Sequence, residues 1–249
     1  MFKSCNLTKH LNDFLKLYQE APVVNNEGGM KLPHLYGLYY ILKELKPKLV
    51  VESGVWKGQG TWLIRQVLPS AEIICFDVNL NRLLFIDKAA NYINHDITEF
   101  DWSVFYQQNR AHSPATSLLF LDDHVDFPKR FDILKSERPF KYVIYEDNYP
   151  NTCGDCLSPK KIVDSVSESS NITPSHSFVS ELNKKSFDSL VASYDEFPPI
   201  APITTTRWGA PMTQYKTEPS ILQSKDLLPL KYQEEVLSYT WMCLMEMHI

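Results

Sequence analysis

Leu49-Val50-Val51-Glu52-Ser53-Gly54-Val55-Trp56-Lys57-Gly58-Gln59-Gly60-Thr61 is the stretch that decides how this chain is read. Pro47 opens it, a short apolar run predicts a buried strand, and three glycines then bring the chain round into the amphipathic run Trp62 to Leu68. A strand, a glycine-rich turn and a helix start follow one another. Glycine has no Cβ, so the backbone of such a turn can approach a ligand closely, and the free N–H groups of the next helix favour anionic or polar ligand atoms. A nucleotide-like ligand fits there.

Downstream, Glu72-Ile73-Ile74-Cys75-Phe76-Asp77 predicts a second buried strand ending in an acid, 25 residues after Glu52. An acid at that strand end hydrogen-bonds ribose hydroxyls in nucleotide-binding α/β folds; the alternative for Asp77 is a helix N-cap. Leu80 to Ala90 predicts a crossover helix, Ala90 to Asp96 a short third strand and residues 99 to 110 a polar-aromatic helix. Ser117 to Leu121 is a fourth apolar run, broken by Asp122-Asp123-His124-Val125-Asp126. Phe131 to Glu137 predicts a helix, and the fifth run, Phe140 to Tyr145, ends in Glu146-Asp147-Asn148-Tyr149-Pro150. Strands buried on both faces read as continuous apolar runs, and parallel neighbours need crossovers. The expectation is therefore an α/β fold, a doubly wound, mostly parallel sheet with helices on both faces. Ligands of such sheets bind beyond the carboxyl ends of the strands, where all these acids lie.

The flanks are less regular. Residues 7 to 20 and His34 to Leu45 carry apolar side chains at helical spacing, and Gly28-Gly29 between them is either a surface turn or a flap over a ligand. Ser158 to Ser167 predicts a helix with Pro159 in its first turn, while Phe187 to Tyr194 is ambiguous. Residues 196 to 220 are Pro-rich and read as a long loop over the site mouth or as a linker. Leu227 to Leu237 predicts a helix, and Tyr239 to Met247 an additional strand on the sheet edge. The whole chain, 1–249, is expected to be one domain: N-terminal helices over 1–46, a cofactor-binding core over 47–150, and a C-terminal part, 151–249, with the lid-like loop 196–220.

Composition bounds the function. A net charge of −5 argues against a broad nucleic-acid surface or an anionic-membrane surface, because phosphate binding relies on clustered Lys and Arg. No apolar run approaches the roughly 18 residues of a membrane span, and the first residues lack the apolar core of a secretory signal. A cytoplasmic protein is expected. Cys5, Cys75, Cys153, Cys156 and Cys243 are odd in number, which suits a reducing compartment, and the sequons at Asn6 and Asn171 then mean nothing. Cys153-Gly154-Asp155-Cys156 has C-x-x-C form, but a zinc site would want a second pair.

The glycine spacing narrows the ligand. The dinucleotide fingerprint is G-x-G-x-x-G, whereas this chain has Glu52-x-Gly54-x-x-x-Gly58-x-Gly60-Thr61. That pattern resembles motif I of the class I S-adenosylmethionine-dependent methyltransferases. The resemblance implies that Glu52, Gly54, Gly58, Gly60, Thr61 and Asp77 surround S-adenosylmethionine. It also sets Asp96 near the adenine amino group, although a strand-end Asp is a common turn residue as well.

The strand-end acids carry the chemistry. Two carboxylates about 4 Å apart repel by roughly 4 kcal/mol at an effective dielectric near 20, so neighbouring fourth and fifth strands would need protonation or a cation between Asp122, Asp123, Glu146 and Asp147. Oxygen-rich clusters suit magnesium, calcium or manganese. An acid after the fourth strand and Asp-Asn after the fifth resembles the metal-dependent catechol-type O-methyltransferases. The D-D-x-H-like turn with Glu-Asp is similar to cephalosporin hydroxylase-like and rhamnosyl O-methyltransferases. The resemblance implies Asp122 or Asp123, Asp147 and Asn148 as ligands of Mg2+ or another divalent cation, with Glu146 as a fourth. It supplies no catalytic lysine, so Asp122 and His124 are the catalytic candidates, His124 being a base or a structural residue.

The function implied is O-methylation of a small-molecule or sugar hydroxyl. A nicotinamide-dependent oxidoreductase or epimerase is the alternative, disfavoured because the glycine spacing is wrong and the Tyr39-x-x-x-Lys43 pair precedes the cofactor strand. A binding module without catalysis is the third reading. Oligomeric state stays open, a homo-oligomer included.

Overall fold

The computed structural model describes Phe2, residues 6–24, 26–167 and 184–249. Cys5 and the Asn171 sequon lie outside the described residues. Two helices, α1 (Leu11–Tyr18) and α2 (Leu32–Leu45), precede β1 (Leu49–Ser53). Then come α3 (Gln59–Val67), β2 (Glu72–Phe76), β3 (Asn91–Ile93), α4 (Trp102–Gln108), β4 (Ser117–Leu121), α5 (Phe127–Ser136) and β5 (Tyr142–Tyr145). The chain closes with α6 (Pro159–Ser167), α7 (Lys184–Leu190), β6 (Val191–Phe197) and β7 (Met242–Met247).

The seven strands form one sheet in the order β3-β2-β1-β4-β5-β7-β6. All the pairs from β3 to β5 are parallel, and β7 runs antiparallel to both β5 and β6. This is the doubly wound, mostly parallel α/β sheet expected. Alternation along each central strand sorts its side chains between two cores. Val50, Leu118, Phe120 and Ile144 join α2 and α3 on one face, while Leu49, Val51, Leu119, Leu121, Val143 and Tyr145 join α4 and α5 on the other.

Register places the site. Ser53 lies opposite both Phe76 and Leu121, and Leu121 lies opposite Tyr145, so the central strands end level with one another. The ladder continues one residue further: Gly54 N–H donates to the Phe76 carbonyl (2.9 Å), Asp122 N–H to that of Ser53 (2.8 Å) and Glu146 N–H to that of Leu121 (2.9 Å). Gly54, Asp122 and Glu146 therefore stand side by side on one rim, with Asp77 flanking Gly54.

Four expectations change. Leu80 to Ala90 holds only a 3-10 turn, Leu80–Arg82, because the N–H groups of Leu84 and Phe85 both donate to the Lys57 carbonyl (3.1 Å each) instead of building a helix. Leu227 to Leu237 is three short 3-10 turns, Lys225–Leu227, Leu230–Tyr232 and Glu235–Ser238. Pro229 stands between the first two and can neither donate a helical hydrogen bond nor leave Leu228 free to take the α conformation. The strand after Tyr239 is interior, and β6 takes the edge. Finally, the ambiguous stretch from Phe187 divides into the end of α7 and the start of β6.

Gly54 has φ 89°, and a Cβ there would lie 2.0 Å from the Asp122 carbonyl oxygen; Gly209 has φ 84° with open space around it. Gly54→Ala is expected to cost more than about 3 kcal/mol, against about 1 kcal/mol for Gly209→Ala, which suffers only the left-handed strain. Urea unfolding of the two variants checks the difference.

Candidate active site

The glycine corner is built from below by two acids. Asp77 Oδ2 accepts the N–H groups of Val55 (2.9 Å) and Trp56 (3.1 Å), and its Oδ1 accepts that of Asn79 (2.8 Å). Trp56 is thereby held at φ 51°, a left-handed conformation that bulky residues avoid. A carboxylate oxygen has two lone-pair positions, so Asp77 keeps accepting capacity after shaping the turn. Glu52 is 1% exposed and receives the Thr61 hydroxyl and the Cys75 thiol (3.5 Å). Burial pushes its carboxyl up to about 8, in spite of the Thr61 and Cys75 hydrogen bonds. A Cβ at Gly60 would sit 2.2 Å from Glu52 Oε1, so Glu52 lies sealed under the first turn of α3, whose buried Thr61 is bonded to it, rather than in the open. Both were expected to face the cofactor. Gly58 enters α3 at φ 88° and no side chain caps the helix.

The segment before α2 does fold over this corner. Glu27 offers its carbonyl to Trp56 Nε1 (3.1 Å) and Lys57 Nζ (3.3 Å), and Gly28 lies against the Trp56 ring. Arg82 covers the same ring at 4.8 Å.

Three of the expected metal ligands are directed elsewhere, each for a visible reason. Asp123 Oδ2 accepts from Ser53 Oγ (2.6 Å) and from Arg130 (2.8 Å), whose other bonds grip both oxygens of Asp96 at 2.7 and 2.9 Å. Arg130 is 2% exposed, so these two acids neutralise a buried guanidinium. Burial works to raise the Asp96 carboxyl, but the Arg130 and Thr98 hydrogen bonds hold it well below the ordinary range. At Asp123 burial wins over Arg130 and the carboxyl is raised. Asn148 gives its oxygen to the Lys160 N–H at the start of α6 (2.8 Å) and its amide to Tyr194 (2.8 Å).

Glu146 is bonded to His34 Nδ1. The Thr240 N–H points at His34 Nε2 (3.3 Å), so Nε2 is an acceptor and the ring's proton sits on Nδ1, where it donates to Glu146. Burial lowers His34 to about 4, which keeps it neutral. Sequence reasoning missed His34 and Arg130 altogether. Glu146 lies 112 residues from His34, and no local motif marks a pair that distant.

Asp122, His124 and Asp147 are what remain, and their ligand atoms lie within 4.8 Å of one another. His124 is held at φ 52°, half exposed, with Nδ1 3.2 Å from Asp147 Oδ2 and 3.7 Å from Asp155. Asp147 is 3% exposed; Tyr149 donates its hydroxyl to Oδ1, while Oδ2 is buried without a hydrogen bond. Burial, followed by the charges of Glu146 and Asp147, raises the Asp122 carboxyl well above the ordinary range. Crowded acids and a buried oxygen without a hydrogen bond fit a divalent cation, and His124, read from the sequence as a base or a structural residue, has a ring nitrogen among the same cluster of candidate donors. The carboxylates suit magnesium or manganese, and the imidazole shifts the preference toward a transition metal such as manganese.

The C-x-x-C cysteines are both buried and free, packed with Tyr149 and Tyr215. Tyr39 packs on Phe14 of α1 and Lys43 lies over its ring at 5.6 Å, so that pair belongs to helix packing. Among the described residues no helix is long and apolar enough to cross a membrane. Two concavities, of about 740 and 530 Å³, lie away from the rim, beside β6 and beside α1.

No protein-family model and no curated protein matches this chain. Among solved structures, apo CmcI is similar at 22% identity and a TM-score of 0.35, over 46% of this chain and 51% of CmcI. This chain thus aligns with about half the length of CmcI. An O-methyltransferase from Bacillus cereus in complex with SAH is similar at 10% identity and a TM-score of 0.45, over 99% of this chain and 92% of that one. The O-methyltransferase TomG from Streptomyces achromogenes, in complex with SAM, gives 10% and 0.45 over 99% and 91%.

A carboxyl raised to about 8 binds a proton in the folded state that the unfolded chain has released, so stability falls as pH rises from about 4.5 through 8. Glu52→Gln removes this loss. Relative to the parent, its unfolding free energy is expected to improve between pH 5.5 and 8.5, measured by urea titration at each pH.

Proposed function

We propose that this chain is an S-adenosylmethionine-dependent methyltransferase acting on a hydroxyl of a small molecule or sugar, with a divalent metal held by Asp122, His124 and Asp147. The observation that carries the reading is the rim itself. A glycine corner at the end of β1, an uncapped helix start and the acids ending β2, β4 and β5 occupy neighbouring positions.

Each group has a task in methyl transfer. Gly54, Gly58 and Gly60 shape the corner by letting its backbone pack closely against Asp122, Phe85 and Glu52, and Asp77 fixes the turn while keeping a lone pair for a ribose hydroxyl. Asp122 and Asp147 present negative charge toward a sulfonium whose own charge disappears on transfer. Tyr149 anchors one oxygen of Asp147 and leaves the other for the cation. Bound there, a divalent cation lowers the pKa of an acceptor hydroxyl and orients it. Glu146, clamped by neutral His34, closes the back of the cluster. We take residues 1–249 as a single methyltransferase-like unit of the cytoplasm, with the loop 196–220 as its lid.

Two outcomes are expected. Asp147→Asn should reduce Mn2+ affinity at least tenfold and abolish transfer, while S-adenosylhomocysteine still binds, as read by electron paramagnetic resonance and calorimetry. Tyr149→Phe, which removes only the anchoring hydroxyl, should weaken Mn2+ binding about tenfold with the thermal midpoint of the free protein little changed. Mn2+ binding unaltered in both variants would eliminate the metal, and failure of S-adenosylhomocysteine to bind the parent would eliminate the methyltransferase.

A further inference from the structure

Residues 204–211 form a tight hairpin beside the acidic rim. Thr205 bridges Pro211, Thr206 N–H donates to the Ala210 carbonyl (2.8 Å), Gly209 N–H donates to that of Thr206 (2.9 Å), and the Thr206 hydroxyl receives Ala210 N–H (3.1 Å). Thr206 is buried, and Met212 just beyond packs with Tyr239 and Trp241. This fixes the base of the hairpin and leaves Arg207 and Trp208 exposed at its tip.

The tip faces the cluster through a short chain of contacts. Trp208 sets its ring edge-on to Tyr149 at 5.2 Å, and the Tyr149 hydroxyl holds Asp147. Arg207 lies over the Trp208 ring at 5.1 Å. Through these ring contacts the guanidinium is carried on the tip that packs against Tyr149, and so against Asp147. Among the described residues Arg207 forms no ion pair; its one close partner is the Trp208 ring.

An exposed guanidinium on a hairpin tip that packs against the rim is at first sight only a counterion of its acids. On the reading proposed above, however, a divalent cation and a sulfonium bring up to three positive charges to the same rim. The acids are then satisfied, and Arg207 is left as a rigidly mounted cation with five N–H donors and no anion, beside the exposed part of an indole face. A ring with its hydroxyl toward Asp122 and Asp147, one face toward Trp208 and a carboxylate toward the guanidinium would complete every group. We propose that Arg207 and Trp208 form an acceptor subsite selective for hydroxylated rings that carry a carboxylate. This inference rests on the methyltransferase reading.

Titration calorimetry on the full chain, loaded with S-adenosylhomocysteine and Mg2+, tests it with the matched pair 3,4-dihydroxybenzoate and 3,4-dihydroxybenzamide. The parent is expected to bind the carboxylate at least about tenfold more tightly than the amide, as a charge-assisted forked contact implies. Arg207→Gln should erase that preference with S-adenosylhomocysteine affinity and thermal midpoint retained, and Arg207→Lys should keep part of it. Trp208→Ala should weaken both ligands alike. Equal binding of the two by the parent, absent binding included, overturns the subsite, as does an Arg207→Gln variant that still prefers the carboxylate. The initial S-adenosylhomocysteine titration is separate: its failure in the parent would refute the methyltransferase reading itself.

Discussion

Level strand ends are the constraint on which this molecule depends. β1 pairs with β2 on one side and β4 on the other, and the same ladder runs on into β5, so the first residue beyond each strand is delivered to a common rim. Gly54 makes the convergence sterically feasible. Its backbone passes so near the Asp122 carbonyl that any side chain would wedge β1 from β4. Moving either strand by one residue would turn its whole alternating set from one core to the other, so burial on both faces fixes the position of the site as firmly as it fixes the sheet.

Charge then sorts the acids that the register gathers. A buried carboxylate persists only with a donor or a cation. Arg130 satisfies Asp96 and Asp123, neutral His34 satisfies Glu146, and the backbone N–H groups of the corner satisfy Asp77. Asp147 is answered on one oxygen by Tyr149, while the other has no hydrogen bond and faces the left-handed His124 at 3.2 Å, with Asp122 close by. Left-handed strain beside a buried oxygen that no donor hydrogen-bonds marks a candidate site more specifically than the count of acids does.

Local sequence was a good guide where one force dominates. Continuous apolar runs named the central strands because burial on both faces leaves few other solutions, and β1, β2, β4 and β5 appear where those runs are, while β3 is a short, half-exposed edge strand. It failed where two forces compete. Leu80, Leu83 and Leu84 have helical spacing, yet the donors that a helix would use go to the Lys57 carbonyl, and Leu84 ends up exposed. Pro229 interrupts an equally periodic run. β6 escaped notice because its middle is only half buried at the sheet edge, so it lacks the apolar continuity of a central strand.

Read alone, the chain pointed to a glycine corner after a buried strand and to acids closing the strands that follow, and so raised the expectation of a rim suited to a nucleoside and a cation. Those features are local, set by glycine's missing Cβ and by apolar runs that end abruptly in Asp or Glu. Tertiary structure alone decided which acids are spent and which are free. That outcome depends on His34, Arg130, Tyr149 and Arg207, which reach the rim from α2, α5, the turn after β5 and a distant hairpin, and electrostatic pairing acts through space rather than along the chain.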